Sequence, residues 1–137
     1  MKPDHFYTRL GILLYAIAKA DGSISKKEME EIKQLIAERL LHKETRTDAY
    51  GSNIAWNTEF AFETAEESGM DAQEAFKTFI GYAKDKWNQL SDDDIYLCLT
   101  LCNKVADAHY HINRQENRML STLRSIFNSL EAAQLVY

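Results

Sequence analysis

The sequence predicts an all-α, single-domain helical bundle of about six to seven helices, and three observations support this class. The 137 residues include one proline and five glycines, so long stretches contain no residue that breaks a helix. Apolar residues recur at helical spacing in several separate segments. A helix-turn-helix pattern also occurs twice, near the two ends of the chain. We therefore expect one domain over 1–137, with related halves at roughly 5–42 and 92–130.

The repeated pattern is thirteen residues long and ends in a glutamate in both copies. The first copy is AIAKADGSISKKE, from Ala16 to Glu28, and the second is KVADAHYHINRQE, from Lys104 to Glu116. In each copy an apolar segment is followed by a turn and then by a residue that can cap a new helix. The pattern indicates a duplicated helix-turn-helix unit.

The helix boundaries follow from apolar periodicity and from capping boxes, in which a polar side chain caps the first turn and an acid three residues later bonds back. The boxes pair Ser25 with Glu28, Asp71 with Glu74, Ser91 with Asp94, and Asn113 with Glu116. Gly69 is suited to ending a helix. The predicted helices cover roughly 5–20, 26–42, 57–68, 72–89, 92–108 and 114–130. Residues 43–55 form the one long predicted loop, and 132–137 form a short final turn.

Two of these helices, 5–20 and 92–108, are apolar around most of their circumference. A helix of this kind is normally buried, so we expect both in the centre of the bundle, with the amphipathic helices packed around them. The shorter helix 57–68 carries Phe60 and Phe62. Neither apolar helix reaches the roughly 20 apolar residues that cross a bilayer, so no membrane span is predicted.

Charge and cysteine content narrow the class of protein further. The net charge of −5 and the isoelectric point near 5.4 argue against a nucleic-acid-binding protein, which needs a basic face. Cys98 and Cys102 lie one helical turn apart and are expected to be small buried apolar residues, not a disulfide. This use of cysteine indicates the cytoplasm. A zinc site with His109 and His111 does not fit a recognised ligand spacing.

The first copy of the turn invites comparison with a calcium-binding loop of the EF-hand type. Asp21, Gly22, Ile24 and Glu28 fall at suitable spacings, but an isoleucine and a lysine occupy the first two ligand positions. A working EF-hand is therefore not expected. The same residues also suit a structural role, with Gly22 adopting positive φ, Ile24 acting as a hydrophobic staple and Glu28 completing a capping box.

This motif resembles the signature of the TerB-like family, which is associated with bacterial tellurite resistance and also occurs beside the J-domain of a DnaJ-like co-chaperone. The resemblance lies in A-x-A-D-G-x-I-x-x-x-E, from Ala18 to Glu28, and in its second occurrence near the C-terminus. It implies an all-helical domain with an internal repeat that acts in stress-linked assemblies. It also implies a divalent metal ion held by acidic residues of the two turns. On this chain those residues are Asp21, Glu28, Asp107 and Glu116.

The second turn departs from the family signature, since His109 and Tyr110 stand where Asp and Gly are expected. If a metal binds, the imidazole of His109 would favour zinc or another transition metal over calcium. The alternative is that this chain has lost the site, because a tyrosine in place of the glycine changes the turn.

The function predicted from these observations is a non-enzymatic, cytoplasmic TerB-like module that binds a protein partner, since no catalytic motif is recognisable. The alternative is a domain that senses or sequesters a metal ion with the duplicated acidic turns. Trp56 and Trp87 either line a groove or belong to the core. An acidic cluster near Gly69 forms either a solvated corner or a docking patch for a basic partner. The cluster comprises Glu63, Glu66, Glu67, Asp71 and Glu74.

Overall fold

The computed structural model describes residues 3–20, 24–41, 56–108 and 114–135, and over these ranges the chain is an all-α bundle with six α-helices and no strand. One hydrophobic core draws residues from all six helices. The predicted fold class is therefore confirmed. The helices are α1 (Pro3–Lys19), α2 (Lys26–Ile36), α3 (Trp56–Ser68), α4 (Ala72–Asp85), α5 (Asp92–Ala108) and α6 (Arg114–Leu135).

Helix α1 is the central helix of the bundle. It contacts α3, α4, α5 and α6, and six consecutive residues, from Leu13 to Ala18, are fully buried. This agrees with the apolar run of α1 from Leu10 to Ala18, because a helix with neighbours on most sides must be apolar around most of its circumference.

Helix α5 is less central than the sequence predicts. Cys98, Leu101, Cys102 and Val105 are fully buried, but Tyr96 is 67% exposed. The other apolar residues of its first half, Ile95, Leu97 and Leu99, are only partly buried. Among the residues that the structure describes, α5 packs against α1, α2 and α6. The first half of α5 is therefore more exposed than the sequence predicts.

Helix α2 begins at the predicted cap and ends earlier than predicted. Its N-cap is Ser25, and regular α-helical hydrogen bonding stops at Ile36. A π-helical turn, Ala37–Leu41, then continues the helix toward α3. The predicted single helix 26–42 is thus an α-helix followed by a wider turn, a feature that apolar periodicity does not reveal.

Two local features form the corner between α3 and α4, a glycine that ends α3 and an aspartate that caps α4. Gly69 has φ +69° and ends α3, as predicted. The N–H of Met70 donates to the carbonyl oxygen of Ala65, and that of Gly69 donates to Glu66, which is the Schellman pattern. Asp71 then caps α4 by accepting hydrogen bonds from the backbone N–H groups of the second and third helical residues.

The remaining boundaries differ from prediction at two places. Helix α4 ends at Asp85 and a short 3-10 turn, Trp87–Gln89, follows, so the predicted helix 72–89 is interrupted at Lys86. Helix α6 continues to Leu135, beyond the predicted end at 130 and through most of the tail that was expected to form a separate turn.

The predicted repeat is only partly represented in the described residues. The first corner lacks 21–23 and the second lacks 109–113. The internal duplication therefore stays a prediction. No helix in the described ranges is both long enough and apolar enough to cross a bilayer.

Candidate functional site

The first copy of the repeated motif forms a complete capping box at the start of α2. The backbone N–H of Ser25 donates to Oε1 of Glu28 at 3.1 Å, and Oγ of Ser25 accepts from the N–H of Glu28 at 3.1 Å. Ile24 and Met29, on either side of the box, both pack against the core. The structural interpretation of Ser25, Ile24 and Glu28 is supported by this geometry.

The residues predicted to hold a metal are only partly within the described structure. Asp107 is exposed near the end of α5, and Glu28 takes part in the capping box. Asp21 and His109 lie outside the described residues, as does the side chain of Glu116. Over the side chains that the structure does describe, no three His, Cys, Asp or Glu residues are grouped to hold a metal ion. The metal site thus stays a prediction.

The residues of the predicted acidic corner have different roles in the structure. Asp71 caps α4, and Glu63 forms an ion pair with Lys33 of α2. Glu66 is half-buried, and its Oε2 atom has no hydrogen-bond partner among the described residues. Glu67 and Glu74 are exposed. The exposure of Glu67, Asp71 and Glu74 agrees with a solvated corner between α3 and α4.

Helix α3 has a distinct outer face, which we define by Trp56, Glu59, Phe60, Glu63 and Glu67. Phe60 is 71% exposed and Trp56 is 51% exposed, and they lie one helical turn apart. At about 100° per residue their side chains are within about 40° of each other around the helix. The opposite side of α3 packs into the bundle through Thr58, Ala61, Phe62 and Ala65.

Carboxylates flank the two exposed rings. Glu59 and Glu63 are one helical turn apart on α3, next to Trp56 and Phe60 respectively. Nζ of Lys33 approaches Oε1 of Glu63 to 2.5 Å, with both side chains partly exposed. Burial, with the negative charges of Glu63 and Glu30, raises the pKa of Glu59, although Lys33 opposes this effect. The α3 outer face therefore combines apolar rings with mutually repelling carboxylates.

The α3 outer face was not predicted from the sequence, which placed Phe60 and Phe62 on one helix without distinguishing their environments. Residues two apart on a helix point about 200° apart, so one buried phenylalanine at this spacing implies one exposed phenylalanine. That signal was present in the sequence. The two tryptophans do not share an environment, since Trp87 packs against Phe127 with ring centroids 5.5 Å apart.

A second surface feature lies between α2 and α5. It is an open depression of about 240 Å³ lined by Glu31, Gln34, Leu35, Glu38 and Lys104. Small-molecule sites are commonly about 300–1,000 Å³ and mainly apolar. Because this depression is smaller and charged side chains line it, we do not place the function there.

Comparison with known proteins gives no match for this chain among protein-family models, curated proteins or solved structures.

Proposed function

We propose that this chain is a non-enzymatic TerB-like binding module, and that the α3 outer face is where it docks a protein partner. The observation that carries this proposal is the pair of exposed rings, Trp56 and Phe60, on one face of a helix whose other face is fully packed. The TerB-like signature at the first corner is consistent with a module that acts in an assembly.

The chemistry of the two side chains favours a protein partner. Single exposed apolar residues are common on any surface, but here two large exposed rings lie one helical turn apart on the same side of a helix. Aromatic side chains, tryptophan above all, supply much of the binding free energy at protein interfaces. Neighbouring polar and charged residues then form the rim. Trp56 and Phe60 with the adjacent carboxylates have this composition.

Site-specific crosslinking tests the proposal directly. A photoreactive phenylalanine analogue at position 60 should give discrete adducts with a partner when the protein is irradiated in its native cells. The same analogue at Tyr96 is the matched control, because Tyr96 is an aromatic residue of similar exposure on another helix. Mass spectrometry of the adducts would identify the partner. Equal adduct patterns at 60 and 96, or none at 60, would contradict the proposal.

A further inference from the structure

We infer that the partner segment bound by the α3 outer face is a basic amphipathic α-helix. Its apolar residues would cover Trp56 and Phe60, and its lysines or arginines would pair with Glu59 and Glu63. This inference rests on the proposed function and adds the chemistry of the partner.

The charges on and beside the face carry the inference. Glu59, Glu63 and the nearby Glu30 of α2 bring three carboxylates to one region, and Lys33 is the cation that interacts with them among the described residues. Like charges at i and i+4 on a helix repel each other, so the free protein holds Glu59 and Glu63 in an unfavourable arrangement. A basic segment would remove this repulsion while its apolar side covers the rings.

The same charges disfavour the two other candidate occupants. In a symmetric dimer each α3 outer face would meet its own copy, which would bring the carboxylates of Glu59 and Glu63 against each other. An anionic membrane surface would repel them in the same way. A cationic helix is the one of these three occupants whose charge complements the face.

The helical form of the occupant follows from the shape of the face. Trp56 and Phe60 form a short stripe along α3 with Glu63 continuing it by one further turn. A stripe of this kind matches a second helix whose own apolar residues recur every three to four positions. A basic amphipathic helix presents such residues with lysine or arginine at the flanking positions.

The ionisation of Glu59 gives the inference a second readout. The groups that act on Glu59 are Glu63 on α3 and Glu30 and Lys33 on α2, and together with burial they raise its pKa. A cation docked beside Glu59 would favour the charged carboxylate and lower that pKa. Binding should therefore weaken as the pH falls through the pKa of Glu59, because protonation removes the negative charge.

The test uses the whole chain and a synthetic helical peptide of about 18 residues with leucines on one face and lysines beside them. Binding is followed by isothermal titration calorimetry at low and at high salt, since charge pairing at an exposed surface is screened. A second peptide has glutamate at every lysine position. We expect the lysine peptide to bind, more weakly at high salt, and the glutamate peptide not to bind.

Four variants locate the binding on the protein. Loss of charge in Glu59→Gln/Glu63→Gln should weaken binding about fivefold, and Phe60→Ser at least as much. Lys33→Gln should strengthen binding, because it frees Glu63 for the peptide. The control Asp92→Asn/Asp93→Asn/Tyr96→Ser makes equivalent changes on α5, where one exposed ring lies near two acids, and should leave affinity unchanged.

Several results would overturn the inference. Equal loss in the α5 control would mean that the peptide binds by net charge alone. Concentration-dependent dimerisation of the unmodified protein, abolished by Phe60→Ser, would identify a second copy as the occupant. A fall in melting temperature in Phe60→Ser would mean that part of this chain already covers the ring.

The outcomes also separate this inference from the proposed function. If crosslinking at position 60 captures a specific partner but the lysine peptide does not bind, the docking surface stands and the basic helix is wrong. If crosslinking at 60 gives nothing beyond the control, both fail.

Discussion

A Cβ atom on Gly11 of α1 would lie 2.3 Å from the carbonyl oxygen of Thr58 and 2.9 Å from Cβ of Ala61, both in α3. The two helices therefore approach each other closely at this point. A buried hydrogen bond, 2.8 Å from Oγ1 of Thr58 to the carbonyl oxygen of Tyr7, joins them one turn away. This contact fixes the side of α3 that faces α1, and so it also determines that Trp56 and Phe60 point outward.

We expect Gly11→Ala to lower the free energy of unfolding by on the order of 3 kcal/mol, because backbone atoms of α3 cannot move aside as a flexible side chain can. Gly81→Ala is the matched control. Gly81 lies inside α4, and a Cβ there meets no atom within 4 Å. The control should gain about 0.5–1 kcal/mol from helix propensity. Urea denaturation measures the free energy of unfolding of both variants. Similar changes at positions 11 and 81 would refute the close approach of α1 and α3.

Gly69 is needed for a different reason, namely its backbone conformation. A Cβ at Gly69 would meet nothing within 4 Å, but its φ of +69° is unfavourable for other residues. We expect Gly69→Ala to cost about 1 kcal/mol and Gly69→Asn less, because asparagine tolerates this conformation better. Thermal denaturation followed by circular dichroism would show which of the two variants is the more stable. Equal stability of all three proteins would contradict it.

Glu28 offers a test that separates its cap from the predicted metal site. Glu28→Ala should cost about 0.5–1.5 kcal/mol, because the N–H of Ser25 loses its acceptor while Oγ of Ser25 still caps the helix. Glu28→Gln should be close to neutral, since glutamine can complete the same box. A Gln variant as unstable as the Ala variant would argue against the box.

The same two variants, Glu28→Ala and Glu28→Gln, also test the metal prediction. Elemental analysis of protein purified without an affinity tag measures the bound metal. The change in melting temperature on adding a chelator measures how far that metal stabilises the fold. If Glu28 is a ligand, Glu28→Gln should lose metal while keeping its cap. Metal content below one ion per chain in the unmodified protein, with no chelator effect, would remove the metal hypothesis.

The two buried cysteines predict how stability changes at alkaline pH. Burial raises the pKa of both Cys98 and Cys102 above the ordinary thiol value. Above about pH 9 the unfolded chain loses these thiol protons while the folded chain keeps them, so the free energy of unfolding should fall as pH rises. Below that pH this contribution is fully present. The expected slope is about 1.4 kcal/mol per pH unit for each thiol.

Urea denaturation in the presence of a reductant, between about pH 8 and 11, measures this slope. Cys98→Ala/Cys102→Ala is the control and should show a shallower dependence. Burial also raises the pKa of Tyr82, to about 12, so some loss of stability should remain in the control above pH 10. Identical slopes in the two proteins would contradict the role of the thiols.

Much of the local structure could be predicted because its determinants are close together in the chain. The boxes at Ser25 and Ser91, the cap at Asp71 and the end of α3 at Gly69 each depend on residues within a few positions. The all-α fold class and the apolar character of α1 follow in the same way from composition and from the helical spacing of apolar residues. The break after Asp85 and the π-helical turn after Ile36 carry no such local signal, and both were missed.

The sequence by itself determined that the chain is helical, where most helices begin, and that α1 is apolar around most of its circumference. Only the tertiary structure decided that α1 is more central than α5, that Gly11 lies against Thr58, and that Phe60 and Tyr96 stay exposed. The physical reason is that hydrogen bonds and caps are set by neighbours in sequence. Burial, by contrast, depends on which helix lies opposite in space, and an apolar residue has the same sequence signature whether a neighbouring helix covers it or not.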